Sequence, residues 1–369
     1  MNEVIYQIFV RNYSKEGTFL AIQKDLDRIK RLGVDIIYLM PIHEIGVKNR
    51  KGTWGSPYAI KDYYSISFDL GDLTSFKNLI KAIHDKGMKV IMDMVFNHTA
   101  PDNELLINHP EYYFYRNGKT ANKVGDWSDI IDLETKGDKT QEYLLGVIEY
   151  WVHVGVDGFR FDVSSLIPLS FFKKLRERFG KRLFLLSESI DPDFVRYAKS
   201  IGIDVTTDDE LAPYFDVLYN YNYFRDLEHY LKGEAPLINL VDALNDEQNK
   251  YNRICCLENH DTKRIYDLVH HDKERLLSLL RFSFALKGCP FLYAGEELGT
   301  DKNVPLFEKD PIDWNVIDHD INQEIKSLIK AKKKEKAIKQ QTFKLIDEST
   351  IEIVTVYVDG TDSIKQFSF

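Results

Sequence analysis

Four short segments of the sequence place ionisable side chains where an apolar run ends. These segments are residues 93–98, 158–162, 187–189 and 258–261, and together they supply carboxylates, histidines and an arginine. A buried strand needs only apolar side chains, so charged groups at strand ends are costly unless they are paired or used chemically. The pattern therefore indicates one polar site assembled from four separate parts of the chain.

Two of these carboxylates, Asp162 and Glu188, point to a specific chemistry. Glycoside hydrolysis requires a pair of carboxyl groups facing each other across a bond, one as nucleophile and the other as acid and then base. Arg160 lies two residues before Asp162 and projects to the same side of a strand. Its guanidinium is expected to keep Asp162 ionised. Taken alone, Arg160 and Asp162 could also be a purely structural ion pair.

Strands and helices alternate along most of the chain, which is typical of a parallel sheet covered by helices. Apolar residues at helical spacing, such as Phe19, Ile22 and Leu26, separate the strands. Eight strands are enough to close a barrel, so we predict an α/β fold of the (β/α)8 TIM-barrel class. The predicted barrel strands are residues 4–10, 34–40, 89–96, 158–163, 183–187, 215–219, 253–257 and 290–294.

Two regions interrupt the barrel pattern. About forty residues separate the third strand from its helix, and a connection this long is usually functional or a small subdomain. We therefore predict a barrel over 1–98 and 140–335, with a small insertion subdomain over 99–139. Alternating apolar runs separated by turn-forming residues predict a partial, truncated C-terminal β-domain over 340–369.

The composition excludes several classes of partner. The net charge of −9 argues against nucleic acid or an anionic membrane, because both favour clustered Lys and Arg. The one basic run, residues 330–339, is expected to be a solvated helix face. The three cysteines are expected to be buried, reduced thiols rather than a disulfide framework. No secretion signal precedes the first predicted strand, which predicts a cytoplasmic protein.

The four polar segments, in this order, resemble the signature regions of the α-amylase family of glycoside hydrolases. The resemblance covers residues 1 to about 315, and its motifs are specific because all of them occur in register. It implies a retaining enzyme built on a TIM barrel. The matching strings are Asp-Met-Val-Phe-Asn-His (93–98), Gly-Phe-Arg-Phe-Asp (158–162), Ser-Glu-Ser (187–189), Glu-Asn-His-Asp (258–261), Tyr-Gln-Ile-Phe (6–9), Leu-Met-Pro-Ile (39–42), Gly-Ser-Pro-Tyr-Ala-Ile-Lys-Asp-Tyr (55–63) and Gly-Cys-Pro-Phe-Leu-Tyr-Ala-Gly-Glu-Glu (288–297).

The resemblance implies a role for each of three carboxylates. Asp162 matches the nucleophile of the family, and Glu188 matches its general acid and base. Asp261 matches the third carboxylate, which binds sugar hydroxyls and stabilises the positively charged transition state. Glu188 is expected to have a higher pKa than Asp162, because it must hold a proton while Asp162 does not.

The implied substrate-binding residues are Tyr58, His98, Arg160 and His260. His98 and His260 match histidines that hydrogen-bond the sugar ring at the cleavage site, and Tyr58 corresponds to a tyrosine that stacks on that ring. An ordinary half-buried tyrosine remains the alternative for Tyr58. Asp93 is expected to support Arg160 rather than to react.

The sequence departs from the family pattern at positions that bear on leaving-group recognition and on calcium binding. After Asp162 the chain continues Val-Ser-Ser-Leu (163–166), without the Lys-His pair by which many starch-degrading members hold the leaving group. Recognition of the leaving group therefore stays open. Asn97 matches a calcium-ligand position and Glu134 could replace another, but a tightly bound calcium ion is not favoured. No cofactor is expected to be required.

These observations predict a retaining glycoside hydrolase that cleaves α-1,4 or α-1,6 glucosidic bonds, or both, of malto- and isomalto-oligosaccharides by double displacement. Its expected partner is a small oligosaccharide. One alternative is a transglycosylase, in which a sugar hydroxyl takes the place of water. Another is a non-catalytic carbohydrate-binding barrel, although such relatives usually lose catalytic carboxylates. An unrelated metal-dependent hydrolase would need a motif such as His-x-His, which the sequence lacks.

Overall fold

Eight parallel strands form one closed barrel in a computed structural model that describes residues 2–125 and 127–369. The strands are β1 (Ile5–Ile8), β2 (Ile36–Leu39), β3 (Lys89–Met94), β4 (Gly158–Phe161), β5 (Phe184–Ser187), β6 (Val217–Leu218), β7 (Ile254–Cys255) and β8 (Cys289–Tyr293). They lie in the order β6, β5, β4, β3, β2, β1, β8, β7. A parallel bridge between Leu218 and Arg253 joins the two ends of this sheet and closes the barrel.

The barrel strands occupy their predicted positions, and the predicted TIM-barrel class is confirmed. Their side chains are almost entirely apolar and buried, as strands covered on both faces must be. Four polar side chains are fully buried exceptions: Gln7 in β1, Asp93 in β3, Arg160 in β4 and Ser187 in β5. Because the strands are parallel, their carboxyl ends meet at one rim, where TIM barrels carry their active sites.

Amphipathic helices cover the outside of the barrel. The first, Phe19–Leu32, buries Phe19, Ile22 and Leu26 along one stripe and ends at Gly33, whose φ of 105° suits a glycine. The long helices are α1 (Phe19–Leu32), α2 (Leu73–Asp85), α3 (Asp138–Val154), α4 (Leu169–Phe179), α5 (Pro192–Ser200), α6 (Tyr221–Leu231), α7 (Leu237–Glu247), α8 (Lys273–Ala285) and α9 (His319–Lys334), and short ones occupy Val10–Tyr13, Glu104–Asn108, Asp208–Leu211 and Ile265–Leu268.

The region predicted as an insertion, residues 99–139, contains little regular structure. It carries the short helix Glu104–Asn108 and a small hairpin of Tyr115–Arg116 with Lys119–Thr120. The strand Ile131–Asp132 pairs antiparallel with His98–Thr99, so the far end of the insertion returns to the rim of the barrel. The insertion therefore forms one wall beside the carboxyl ends of β3 and β4.

The segment predicted as a partial C-terminal β-domain folds into a three-stranded antiparallel sheet of β9 (Ile338–Asp347), β10 (Thr350–Tyr357) and β11 (Asp362–Ser368). Its inner face packs on the barrel helices. The Phe367 ring lies 5.5 Å from that of Phe282 in α8. The Asn245 side chain in α7 donates to the carbonyl of Phe343 at 2.9 Å and accepts from its N–H at 3.0 Å. The sheet is thus anchored both by apolar contacts and by hydrogen bonds.

The basic run at 330–339 was predicted as a solvated helix face, but α9 ends at Lys334 and β9 begins at Ile338. The prediction is also wrong for Lys332. That side chain is buried, and its Nζ donates to the carbonyl of Leu286 at 2.7 Å and lies 2.8 Å from Glu335. A long aliphatic stem lets a lysine cross apolar packing to reach such partners. The three cysteines are buried free thiols, as predicted. Within the described parts of the chain, no helix has the length and apolar character needed to cross a bilayer.

Candidate active site

The floor of the site is an ion-pair network that joins β3 and β4. Asp93 and Arg160 are direct neighbours in the register of these strands, and both side chains are fully buried. Arg160 Nη1 donates to both carboxylate oxygens of Asp93, at 2.8 and 3.0 Å. Tyr38 donates its hydroxyl to the same carboxylate at 2.6 Å. Asp93 therefore fixes the guanidinium, as the sequence predicted.

Arg160 also touches the two candidate catalytic carboxylates. Its Nη1 donates to Asp162 Oδ1 at 2.9 Å, and its Nη2 lies 2.7 Å from Glu188 Oε1. The backbone N–H of Asp162 donates to the carbonyl of Met94 at 3.0 Å, so the ladder of β3 and β4 continues to this residue. One planar guanidinium thus positions both acids at the ends of β4 and β5.

Glu188 receives a further hydrogen bond from a strained part of the backbone. The N–H of Val163 donates to Glu188 Oε2 at 2.5 Å. Val163 adopts φ 37° and ψ 48°, a left-handed conformation that β-branched residues rarely adopt and that costs about 1–3 kcal/mol. Strain of this kind persists where the surrounding structure enforces it, and here it aims an N–H at the candidate acid.

Burial raises the pKa of both carboxyl groups. The pKa of Asp162 is raised to about 7 by burial, and the nearby Arg160 offsets this only partly. Arg160 therefore acts on Asp162 in the predicted direction, but burial outweighs its effect on the pKa. The pKa of Glu188 is raised to about 8, again by burial first, with Arg160 opposing and Asp162 adding to the rise. Burial therefore raises the pKa of both carboxyl groups in the same direction.

These pKa values predict a bell-shaped pH dependence of kcat/KM with its maximum between about pH 7 and 8. Below this range Asp162 is protonated and cannot attack. Above it Glu188 is ionised and cannot donate a proton. Rates measured on maltotriose from pH 5 to 10 test this prediction, and a maximum near pH 5 would contradict the raised pKa of Asp162.

A wall of aromatic and polar side chains faces the two acids. The rings of Tyr58 and His260 are stacked at 5.4 Å, with 16° between their planes. The hydroxyl of Tyr58 lies 3.0 Å from Asp93 Oδ2 and 2.6 Å from His260 Nε2. Burial lowers the pKa of His260, which favours the neutral ring. This wall offers both a flat face and hydrogen-bonding groups to a sugar.

Asp261 and His98 complete the predicted set. Asp261 is about half exposed, with 46% of its side chain accessible, and its Oδ2 lies 3.1 Å from His260 Nε2. His98 is buried, burial lowers its pKa, and its Nδ1 lies 3.2 Å from Asn97 Nδ2. The exposed carboxylate of Asp261 is free to meet a ligand, whereas Asp162 and Glu188 lie deeper.

The structure brings the predicted residues together in one cleft of about 450 Å³. Six of them line it, and the seventh, Arg160, lies beneath its floor. The members of the predicted set that line the cleft are Tyr58, His98, Asp162, Glu188, His260 and Asp261. Its other walls include Lys51, Trp127, Asp129, Phe194, Tyr221 and Phe307.

Two further residues, neither of them predicted as part of the site, contact its side chains. Gln7 places its Nε2 2.8 Å from His260 Nδ1, and Tyr221 donates its hydroxyl to Glu188 Oε1 at 3.4 Å. The sequence contains a feature that indicates each of these two residues. Gln7 is a polar residue within an apolar strand, and Tyr221 follows the end of β6, just as the predicted residues follow theirs.

The residues considered for calcium do not form a ligand set. Asn97 lines the cleft, whereas Glu134 lines a separate cavity between the insertion and residues 166–170. Asn97 Oδ1 is buried without a hydrogen-bond partner, but Glu134 Oε1 accepts from the N–H of Lys136 at 3.2 Å. The buried Lys123 lines the same cavity as Glu134. Calcium needs six to eight oxygen ligands, and the described residues contain no cluster of three His, Cys, Asp or Glu side chains that could hold a metal. Asn97 and Glu134 therefore do not face one common site.

A closed (β/α)8 barrel with paired carboxylates at its carboxyl rim is the architecture of barrel glycosidases. The family model described as the alpha amylase catalytic domain matches residues 7–129 and 227–349. The chain belongs to the α-amylase family of glycoside hydrolases.

Solved structures of this family are similar over nearly the whole chain. An alpha-amylase from Lactobacillus plantarum has 37% sequence identity and a TM-score of 0.90, over 96% of this chain and 85% of that one. The maltogenic alpha-amylase AmyB from Thermotoga neapolitana has 31% identity and a TM-score of 0.86, over 100% of this chain and 86% of that one.

The curated relatives are more distant and longer. Alpha-amylase MalA of Haloarcula japonica is 28% identical over 91% of this chain and 49% of its own length. The intracellular maltogenic amylase of Bacillus subtilis is 27% identical over 87% of this chain and 56% of its own length. The chain spans about half to two thirds of the length of the curated relatives it matches.

Proposed function

We propose that this protein hydrolyses α-glucosidic bonds of malto- and isomalto-oligosaccharides by double displacement with retention. The contact of one guanidinium, that of Arg160, with both Asp162 and Glu188 carries this proposal. The guanidinium of Arg160 thus holds two buried carboxyl groups side by side at one cleft, and a retaining glycosidase needs a pair of carboxyl groups.

The reaction has two steps. Asp162 attacks the anomeric carbon while Glu188 donates its proton to the departing glycosidic oxygen, which leaves as an alcohol. The sugar is then held as an ester of Asp162. Glu188, now ionised, takes a proton from water, and the resulting hydroxide displaces Asp162 and releases the sugar with retained configuration.

The remaining site residues bind the sugar ring. Asp261 would accept hydrogen bonds from ring hydroxyls and stabilise the positive charge of the transition state. Burial favours the neutral form of both His98 and His260. In each ring Nδ1 faces an amide NH2, of Asn97 or of Gln7, so Nε2 would be the donor to a sugar hydroxyl. Tyr58 would place its ring against the sugar at the cleavage site. Gln7 would orient His260 through its 2.8 Å contact.

The nature of the substrate and the cellular location are supported by the names of relatives. They include an intracellular maltogenic amylase, cyclomaltodextrinases and a probable oligo-1,6-glucosidase. We infer that this chain acts on short α-glucans in the cytoplasm. A transglycosylase of the same family remains the second candidate, because a sugar hydroxyl could replace water in the second step.

Product analysis tests the proposed function. The protein is incubated with maltotriose, isomaltose, panose, soluble starch and sucrose, and the products are separated by chromatography. Release of glucose or maltose supports hydrolysis, whereas products longer than the substrate indicate transfer. NMR of the first product should show the α-anomer, and release of the β-anomer first would contradict retention.

The cleft also predicts a preference for short substrates. Its volume of about 450 Å³ falls within the range of small-molecule pockets. We expect kcat/KM per cleavable bond to be at least roughly tenfold higher on maltotetraose than on amylose, about 1.4 kcal/mol in transition-state binding. Equal or better activity on amylose would instead indicate a polymer-cleaving amylase.

A further inference from the structure

Three loop segments form a wall at one end of the catalytic cleft. They are residues 47–55 after β2, residues 127–129 of the insertion and residues 305–308 after β8, and together we call them the end wall. One side chain from each segment lines the cleft: Lys51, Asp129 and Phe307. None of these three side chains has a part in the proposed chemical steps.

Lys51 joins all three segments of the end wall. Its Nζ lies 2.7 Å from Asp129 Oδ1 and 5.8 Å from the centre of the Phe307 ring. The side chain of Asp129 is only 5% exposed, so its carboxylate depends on the ammonium group for a counter-charge. A second contact supports this ion pair, because Asn49 Nδ2 donates to the carbonyl of Ser128 at 2.8 Å. The loop after β2 is therefore held against the insertion at the edge of the cleft.

A buried arginine holds the other side of the end wall. Arg11, in the short helix that follows β1, is 3% exposed. Its Nη1 donates to the carbonyls of Gly55 at 3.0 Å and Leu306 at 3.2 Å. The N–H of Trp54 also donates to the carbonyl of Phe307 at 3.0 Å. Because one buried guanidinium binds both loops, and buried hydrogen bonds are costly to break, the segments after β2 and β8 form one continuous barrier.

The end wall lies opposite Glu188 on the rim of the barrel. In the closed ring of eight strands, β1 faces β5 across the barrel, and β2 and β8 flank β1. The loops after β2 and β8 therefore lie across the rim from Glu188, which follows β5. Glu188 protonates the departing oxygen, so the leaving group extends toward β5. The glycone, which is the part of the chain that Asp162 retains, extends in the other direction, toward the end wall.

We propose that the end wall closes the glycone side of the cleft, so that the protein removes short units from the non-reducing ends of α-glucans. This inference rests on the proposed hydrolysis of α-glucosidic bonds. A chain bound at an internal bond would continue past the retained sugar and would have to separate Lys51 from Asp129. That separation would leave a buried carboxylate without its counter-charge, which is costly. Attack within a chain is therefore disfavoured, whereas a free end fits against the wall.

The test compares two substrates that differ only at the non-reducing end. One is 4-nitrophenyl maltoheptaoside, and the other carries an ethylidene group that blocks its non-reducing glucose. Products are separated by chromatography, and kcat/KM is measured for each substrate. For the wild-type protein we expect kcat/KM on the blocked substrate to be at least roughly tenfold lower, because the blocking group meets the end wall.

Lys51→Ala is the variant that opens the end wall. Removing the ammonium group and its stem should raise the ratio of blocked to unblocked activity by roughly fivefold or more, because a chain can then pass beside Asp129. Adding Asn49→Gly should raise the ratio further, and glycine suits this position because its φ is 59°. The matched control is Lys48→Ala, which removes an exposed lysine from the same loop and should keep the wild-type ratio.

Each result supports or overturns the inference. Equal kcat/KM of the wild-type protein on the two substrates would overturn the closed glycone side. A folded Lys51→Ala protein with the wild-type ratio, or an equal rise in Lys48→Ala, would overturn the end wall as the barrier. If Lys51→Ala does not fold, Lys51→Gln keeps most of the stem without the charge and should raise the ratio by a smaller factor. A wild-type protein that cleaves neither these substrates nor maltotriose would reject the proposed hydrolysis itself, which is a different result from the others.

Discussion

Replacing Asp162 with Asn should abolish turnover while leaving the fold intact. We expect kcat on maltotriose to fall roughly 10⁴-fold or more, because an amide cannot displace the leaving group and form the covalent intermediate. The amide oxygen can still accept from Arg160 Nη1, which lies 2.9 Å from Asp162 Oδ1. Single-turnover and steady-state kinetics, with circular dichroism as a check of folding, measure this effect.

The matched control for this change is Asp242→Asn. Asp242 is an exposed residue of α7, so the same chemical change there should leave kcat within about a factor of two, as for surface substitutions generally. A folded Asp162→Asn protein that retains wild-type turnover would reject Asp162 as the nucleophile. Equal losses in both variants would point to a general effect on the protein rather than on the reaction.

The sequence predicted the barrel and most of the candidate site for one physical reason. Parallel strands bring their carboxyl ends to one rim, so polar residues that follow such strands must meet there. Asp93, Asp162, Glu188 and Asp261 could be located by this rule although they are far apart in the chain. The short strand β6 had the weakest pattern, and Tyr221 at its end was missed.

The remaining features depend on distances that sequence spacing does not contain. The contact of Gln7 with His260 joins β1 to the loop after β7, so only the closed barrel shows it. The burial of Lys332 depends on the carbonyl of Leu286, the residue that follows α8. The pKa of Asp162 follows from the balance between burial and the attraction of Arg160. The sequence identifies Arg160 as a charged neighbour of Asp162, but it does not show how deeply Asp162 is buried.

Replacing Glu188 with Gln should give a loss that depends on the leaving group. On maltotriose we expect kcat/KM to fall by about 10²- to 10⁴-fold, the usual contribution of general acid–base catalysis. On α-glucosyl fluoride, whose leaving group needs no proton, formation of the covalent intermediate should be reduced far less. The pre-steady-state release of fluoride measures that first step directly, and the matched control is Glu177→Gln at an exposed position of α4.

The same variant has a stability signature that follows from the raised pKa of Glu188. The folded protein keeps this proton up to about pH 8, whereas an unfolded chain loses it near its ordinary pKa of about 4.3. Between these two pH values the unfolded chain has lost the Glu188 proton while the folded protein still holds it. The free energy of unfolding of the wild-type protein therefore falls as the pH rises. The side chain in Glu188→Gln stays neutral at every pH. The Tm of this variant, relative to that of the wild-type protein, should therefore rise between pH 5 and 8, whereas the relative Tm of Glu177→Gln should stay constant. Equal kinetic losses on maltotriose and the fluoride would show that Glu188 is not the acid, even if the stability trend were observed.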